Sequence, residues 1–249
     1  MHMRRMQTIA LIVSLFLLAG CGTWKKAIEV YRGYVMPAEV ELDKKSGLAE
    51  AEKRLARLSA PVDAELERLV RELQVLGGPG EQQAFSGLSQ EFPWVNEVLA
   101  VDVEGKVLRR HPEHPVKTLN VRQLAEQSRQ WTDRSTHSLV VETPLGPEMV
   151  VLRPFHEDNE KQGYLIAHFD FRSLVNRSPG SDKLVVFTRD RVLWSGGFSQ
   201  APRQLLASNW DKFLEGGVTG ELEVQAGRFF WLARYVGQEP LFYAVPVEG

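Results

Sequence analysis

The feature that most constrains this chain is a phrase that occurs twice. Leu99-Ala100-Val101-Asp102-Val103-Glu104-Gly105-Lys106-Val107-Leu108-Arg109 reads as a strand, a tight two-residue turn at Glu104-Gly105 and a returning strand. Val101, Val103 and Val107 are β-branched, and Gly105 supplies the positive φ that such a turn needs. Eighty-five residues on, Leu184-Val185-Val186-Phe187-Thr188-Arg189-Asp190-Arg191-Val192-Leu193-Trp194 repeats it, aligning Leu99 with Leu184, Val101 with Val186 and Val107 with Val192. Arg122-Gln123-Leu124 matches Arg203-Gln204-Leu205, Val151-Leu152 matches Trp231-Leu232, and Tyr164-Leu165-Ile166-Ala167 matches Leu241-Phe242-Tyr243-Ala244. Four regions agreeing in one order define an internal repeat.

Each copy reads as two strands, a helix and three antiparallel strands. In copy one the helix runs from Asn120 to about Trp131, with strands at Ser138–Glu142, Glu148–Phe155 and Gly163–Asp170 and a connector helix at Phe171–Asn176. Copy two has a helix from Arg203 to about Leu214 and strands at Glu221–Gln225, Arg228–Val236 and Leu241–Val247. A five-stranded sheet must cover its apolar face with helices, so the expected class is α+β. Ser178-Pro179-Gly180-Ser181 divides the copies, 92–177 and 182–249, and two separate cores are expected on either side of it.

Ahead of the repeat lie three segments. Arg4 and Arg5 precede an apolar run, Ile9 to Leu18, too short to span a bilayer, which reads as a signal peptide over 1–20. Leu18-Ala19-Gly20-Cys21 resembles the lipobox of bacterial lipoproteins, in which the thiol receives a diacylglycerol, cleavage precedes the cysteine and the new amino terminus is acylated, commonly with palmitate. Gly22 resembles the outer-membrane sorting pattern. A tether, 21–37, with a short helix at Thr23–Val35, leads to a helical segment over 38–91. There Leu48, Leu55, Val62, Leu69 and Leu76 recur every seven residues, and Leu58, Leu66 and Leu73 widen the stripe. The stripe is either a self-association seam or a face packed along its own domain. Pro61 predicts a kink or two abutting helices, with Ser59 as an N-cap.

Composition narrows the function. The 249 residues carry a net charge of -2, without the basic stripe of a nucleic-acid binder, and a single cysteine excludes an internal disulfide. No P-loop, Gly-x-Gly-x-x-Gly or Ser-His-Asp order stands out, so neither an enzyme nor a cofactor is expected. His111-Pro112-Glu113-His114 and the acidic tip His156–Glu160 read as solvated loops rather than metal sites. Arg153 shares the alternation face of Met149, Val151 and Phe155, whereas Ala233 stands at its place in copy two. An inward Arg153 would either pair with an acidic neighbour or bind a small anion. Tyr164 and His168, four apart, share a face of the neighbouring strand, and Trp131 is either core or a stacking surface.

A lipid or membrane anchor, a long helix and two PAS-like sheets in tandem resemble the double Cache extracellular sensor domain, with Val101 to Leu108 as its first hairpin and Gly163 to Ala167 as its last strand. The resemblance implies a small-molecule site in copy one, the membrane-distal module. Arg129-Gln130-Trp131 matches the start of the family's Arg-x-Trp-Tyr pattern, although Thr132 and Leu124 stand where tyrosines belong. His168 falls near the expected aspartate, with Asp170 two residues on. Arg129, Trp131, Arg153, Tyr164, His168 and Asp170 are therefore the candidate ligand contacts, for a small carboxylate or amino-acid-like molecule. The sequence reaches Gly249 directly after the last strand, so output is expected through contact with a partner protein. The expected role is a lipid-anchored sensor or co-receptor facing the periplasm; the alternative is an envelope scaffold without a ligand. Cys21→Ser is expected to release the protein from the membrane fraction or leave an unprocessed precursor, as read by fractionation and intact mass. Normal processing and retention would exclude the anchor.

Overall fold

Glu50–Leu76 form one continuous helix, α1, whose buried stripe is Ala51, Leu55, Leu58, Val62, Leu66, Leu69 and Leu73. The computed structural model describes residues 50–80, 82–131 and 134–247, all within the unit Leu48–Gly249. The segment 1–20, Cys21, the expected helix at 23–35, Leu48 and Thr132 lie outside the described residues. Pro61 neither breaks the helix nor starts a second one, and Ser59 is a buried interior residue rather than a cap. Pro61 and Arg57 both lie on the exposed flank, so the carbonyl that loses its partner faces solvent.

After a glycine-rich turn, α2 (Gln82–Glu91) leads into β1 (Glu97–Asp102) and β2 (Val107–His111). Copy one continues with α3 (Val121–Ser128), β3 (His137–Thr143), β4 (Gly146–Glu157), β5 (Glu160–Phe169) and α4 (Phe171–Val175). Copy two has β6 (Val185–Phe187), β7 (Val192–Trp194), α5 (Ala201–Leu206), α6 (Trp210–Gly216), β8 (Thr219–Val224), β9 (Gly227–Val236) and β10 (Glu239–Pro246). The two sheets are separate and antiparallel, ordered β2-β1-β5-β4-β3 and β7-β6-β10-β9-β8. The single helix expected over 203–214 is two. The Asn209 side chain accepts from the Lys212 N–H and starts α6, and Trp210 turns inward to donate from Nε1 to the Leu205 carbonyl at 2.8 Å.

The expected two cores are joined. Val98, Ala100, Val151, Leu165 and Ala167 of the first sheet and Val186, Leu232, Leu241 and Tyr243 of the second pack with α1 into one continuous core. Each sheet has its own core on the opposite face, under α3 in copy one and under α5 and α6 in copy two. The stripe of α1 is thus an internal packing face.

The repeat is real, but the sequence matches are one residue out of register in β1, β4 and β5. Leu99 pairs with Ile166, which pairs with Leu152; in copy two Val185 pairs with Ala244, which pairs with Trp231. Ile166 shares the outer face with Ala244, not with Tyr243, so Leu99 is equivalent to Val185 rather than Leu184, Leu152 to Trp231 rather than Leu232, and Ile166 to Ala244 rather than Tyr243. Because side chains alternate, a one-residue slip would have moved every residue to the other face. In the first strand the cause lies in the hairpins. Val101 pairs with Val107 across a three-residue turn closed by Asp102 N–H to Lys106 O at 3.0 Å, whereas Phe187 pairs with Val192 across the two-residue turn Arg189-Asp190. On this register Arg153 is equivalent to Leu232, not Ala233.

Copy two also touches copy one directly. The Ser138 hydroxyl of β3 donates to the Val236 carbonyl at 2.5 Å, and Gly237, at φ +63°, lies so close to the Thr136 carbonyl that a Cβ could not be accommodated. Arg191 pairs with Glu142 farther along β3 at 3.1 Å.

One polar group interrupts the packing of α1 on the second sheet. Asp63 accepts from the Tyr243 hydroxyl at 2.6 Å and from Arg234 Nε at 3.2 Å. Burial raises its pKa to about 6, against the opposing pull of the Tyr243 hydrogen bond and the Arg234 charge. The folded value exceeds the ordinary 3.8, so the native state takes up a proton as pH falls from about 6 towards 4 and gains stability there. In Asp63→Asn that gain is expected to vanish. Urea unfolding at about pH 7 and about pH 4.5 should show the wild type improving on the variant at the lower pH. A pH-independent difference would contradict the assignment.

Candidate functional site

Alternation along three central strands brings β1 Glu97, Leu99 and Val101, β4 Glu148, Val150 and Leu152, and β5 Tyr164, Ile166 and His168 onto the face opposite α1. The apolar members pack with Leu124 of α3. The other three, Glu97, Glu148 and His168, are ionisable and fully buried. Isolated charges there would be prohibitively costly, so each must be matched by a partner.

The match is close. His168 Nε2 lies 2.9 Å from Glu97 Oε2, and Nδ1 lies 3.3 Å from Glu148 Oε2. Asn96 Nδ2 donates to the same Glu148 oxygen at 2.6 Å, and the Lys117 ammonium donates to Oε1. Lys117 also reaches Asp170 Oδ2 at 3.1 Å. Asp170 caps α4 by accepting from the Arg172 N–H at 3.0 Å, and takes the Arg172 guanidinium at 2.8 Å. Arg110 Nε lies 2.8 Å from Glu97 Oε1 as an ion pair without hydrogen-bond alignment.

The electrostatics follow from this geometry. Burial alone would lower the His168 pKa, but hydrogen bonds and charge from Glu148 and Glu97 outweigh it and hold it above the ordinary value. The raised pKa favours the imidazolium, whose two N–H groups suit a carboxylate on either side. Burial would raise Glu148, yet His168 and Lys117 bring it below the usual carboxylate range. Asp170 is lowered against burial by Arg172 and Lys117, and Lys117 is raised against burial by its two carboxylates.

The cluster is not a requirement of the fold. By the strand pairing, the positions of Glu97, Glu148 and His168 are held in copy two by Lys183, Gly227 and Pro246. Farther along the same face, at the positions of Val101, Leu152 and Tyr164, copy two packs rings: Trp210 packs on Phe242 with centroids 4.4 Å apart and on Trp231 at 5.3 Å, and Phe187 stacks on Phe242 at 5.2 Å. Copy one instead has a cleft of about 280 Å³ between α3 and β3, lined by Thr118, Asn120, Gln123, Gln127, Leu139 and Val141 among others. Val141 is the cross-strand partner of Glu148, so the cleft adjoins the cluster.

The six candidate contacts do not converge. His168 and Asp170 belong to the ionic cluster, linked through Lys117 and Glu148. Tyr164 donates its hydroxyl to the Ser128 carbonyl at 2.7 Å and pins the end of α3 to the sheet. Arg129 is exposed just beyond that helix, and Trp131 stacks on His137 with centroids 4.2 Å apart. Arg153 is half-buried on the α1 face with Met149, Val151 and Phe155, so the sheet separates it from Tyr164 and His168. The expectation that these residues frame one site is corrected accordingly. Glu97, Glu148 and Lys117 were missed. The two glutamates were findable, since Glu97-x-Leu99-x-Val101 and Glu148-x-Val150-x-Leu152 place a carboxylate on each apolar face. Lys117, on an irregular loop, leaves no periodic signal.

His168 contributes stability that is fully present below the ordinary histidine value of 6.5 and lost as pH rises through its raised folded value. His168→Gln is therefore expected to show its largest deficit in unfolding free energy below pH 6.5, shrinking as the medium becomes alkaline. Urea titrations across that range test this, and a constant deficit would contradict it.

No family model matches the sequence, and no curated protein matches it. Solved structures do. An extracellular ligand-binding receptor from Desulfohalobium retbaense superposes with a TM-score of 0.52 at 14% identity, over 77% of this chain and 38% of that one; the chain thus spans well under half of that receptor. The ligand-binding domain of the Pseudomonas fluorescens chemoreceptor CtaA, in complex with L-leucine, gives 0.51 at 10% identity over 80% of this chain and 91% of that one. The sensor domain of the V. cholerae histidine kinase DctB gives 0.50 at 10% identity, over 79% and 96%. These neighbours are sensor and ligand-binding domains, the first of them extracellular. At such identities the likeness speaks for architecture, and the architecture is the double PAS-like (Cache) fold: a long helix followed by two five-stranded antiparallel sheets with covering helices.

Proposed function

We propose that this chain is a lipid-anchored extracytoplasmic sensor that binds a small molecule through copy one and passes the signal to a partner protein by contact. The observation that carries the reading is the contrast between the copies. The helix side of copy two packs aromatic rings, whereas copy one has a cleft of mixed polar and apolar lining beside buried ionisable groups. An apolar cleft with a few polar groups is what a small-ligand receptor requires. The Pseudomonas fluorescens neighbour holds L-leucine, which supports an amino-acid-like ligand. Cys21 supplies the anchor, and Gly22 favours the outer membrane. Because each buried charge already has a partner within the chain, a ligand-free scaffold is the competing reading.

A thermal-shift screen of the full chain against amino acids, amines and small carboxylates separates the two. A ligand at about 100 times its Kd stabilises the native state by about 2.7 kcal/mol. Gln123→Trp, an exposed substitution that fills the cleft, is expected to abolish the shift without lowering the basal melting temperature. A panel that moves nothing would favour the scaffold.

A further inference from the structure

The segment between β2 and α3 is built unlike the other loops. Residues 112–119 contain no helix or strand, and Val116 is 94% exposed, so the backbone runs along the surface. Among the described residues, the backbone of 112–119 makes no hydrogen bond to another backbone group, and its polar fastenings to the rest of the chain all come from Lys117. That one side chain dips inward, with 15% of it exposed, and ends between Glu148 and Asp170. The next two residues, Thr118 and Leu119, line the cleft between α3 and β3. Lys117 thus joins the buried carboxylates to residues of the cleft wall, and Val141 of that wall is the cross-strand partner of Glu148.

We infer that residues 112–119 form an autoinhibitory strap, in which the Lys117 ammonium occupies the cation position of the copy-one site and must be displaced by the ammonium of an incoming ligand. This rests on reading copy one as the ligand site. The chemistry is an exchange of like for like. Withdrawing Lys117 leaves Glu148, fully buried, and Asp170 without one counter-charge, and an alkylammonium restores the same charge-assisted hydrogen bonds. Release also frees Thr118 and Leu119 to move, so the cleft and the carboxylates become one continuous site. A tethered lysine competes at high effective concentration, so a simple amine is excluded and only a ligand with further contacts in the cleft can displace it. The strap thus sets a threshold and selects against small amines.

The test is chemical rescue, which needs no knowledge of the natural ligand. Full-length Lys117→Ala is expected to melt roughly 5 °C below wild type. Protonated ethylamine at about 50 mM should recover at least half of that loss, whereas sodium chloride at equal concentration should not. Wild type should respond to neither. Cleavage by a glutamate-specific protease at Glu113 should accelerate in the variant and slow again with ethylammonium. If Lys117→Ala does not fold, Lys117→Met, which keeps the apolar stem, takes its place. An unchanged melting temperature and cleavage rate, or a loss that ethylammonium repairs no better than sodium chloride, overturns the strap. Failure of the ligand reading looks different: no metabolite shifts either protein, while the rescue by ethylammonium persists.

Discussion

Each sheet has two apolar faces, and the structure depends on one helix covering a face of both. The stripe of α1 from Ala51 to Leu73 is buried along its length, and residues of both sheets meet on it in a single core. Burying a leucine or valine side chain contributes about 1.5–3 kcal/mol, so this stripe is a major term in the stability of either copy. It also explains why the sheets need not merge. Each closes its remaining face with its own helices, which leaves those outer faces free to diverge.

They have diverged in opposite directions. Copy two spends its helix-facing side on aromatic packing. Copy one places Glu97, Glu148 and His168 on the equivalent surface and surrounds them with Lys117, Arg110 and Asn96. Copy two has no such cluster: Lys183 and Gly227 stand exposed at two of the equivalent positions, and Pro246 holds the third.

How much of this was legible in the sequence depends on which physical signal each residue carries. Alternation and turn residues identified ten strands and the pairing of two like units, because period-two burial is enforced along every strand. The same signal placed Tyr164 and His168 on one face and Arg153 with Met149, Val151 and Phe155, without showing that the sheet separates the two groups. The register of the repeat was misread because Gly105 marks a turn without fixing its length, and a three-residue turn in one copy faces a two-residue turn in the other. Pro61 looked like a break since its cost depends on whether the freed carbonyl meets water, which sequence does not state. The partners of His168 come from two other strands and the lysine beside Glu148 from a loop, and only the tertiary structure assembles them.

The contacts between the copies have a further consequence, for solubility. β3 ends the first sheet and would otherwise offer a row of unpaired backbone groups to any passing strand. Val236 and Gly237 lie against it at Ser138, and Arg191 holds it at Glu142, so two turns of copy two guard this edge. The opposite edge, β2, has α2 beside it, with Gln82 Nε2 donating to the Arg110 carbonyl at 3.0 Å. On β8 the exposed positions include Glu221 and Glu223, like charges that resist stacking against a second copy. The tandem arrangement therefore protects a β-rich chain from edge-to-edge aggregation: one copy serves as the other's bumper.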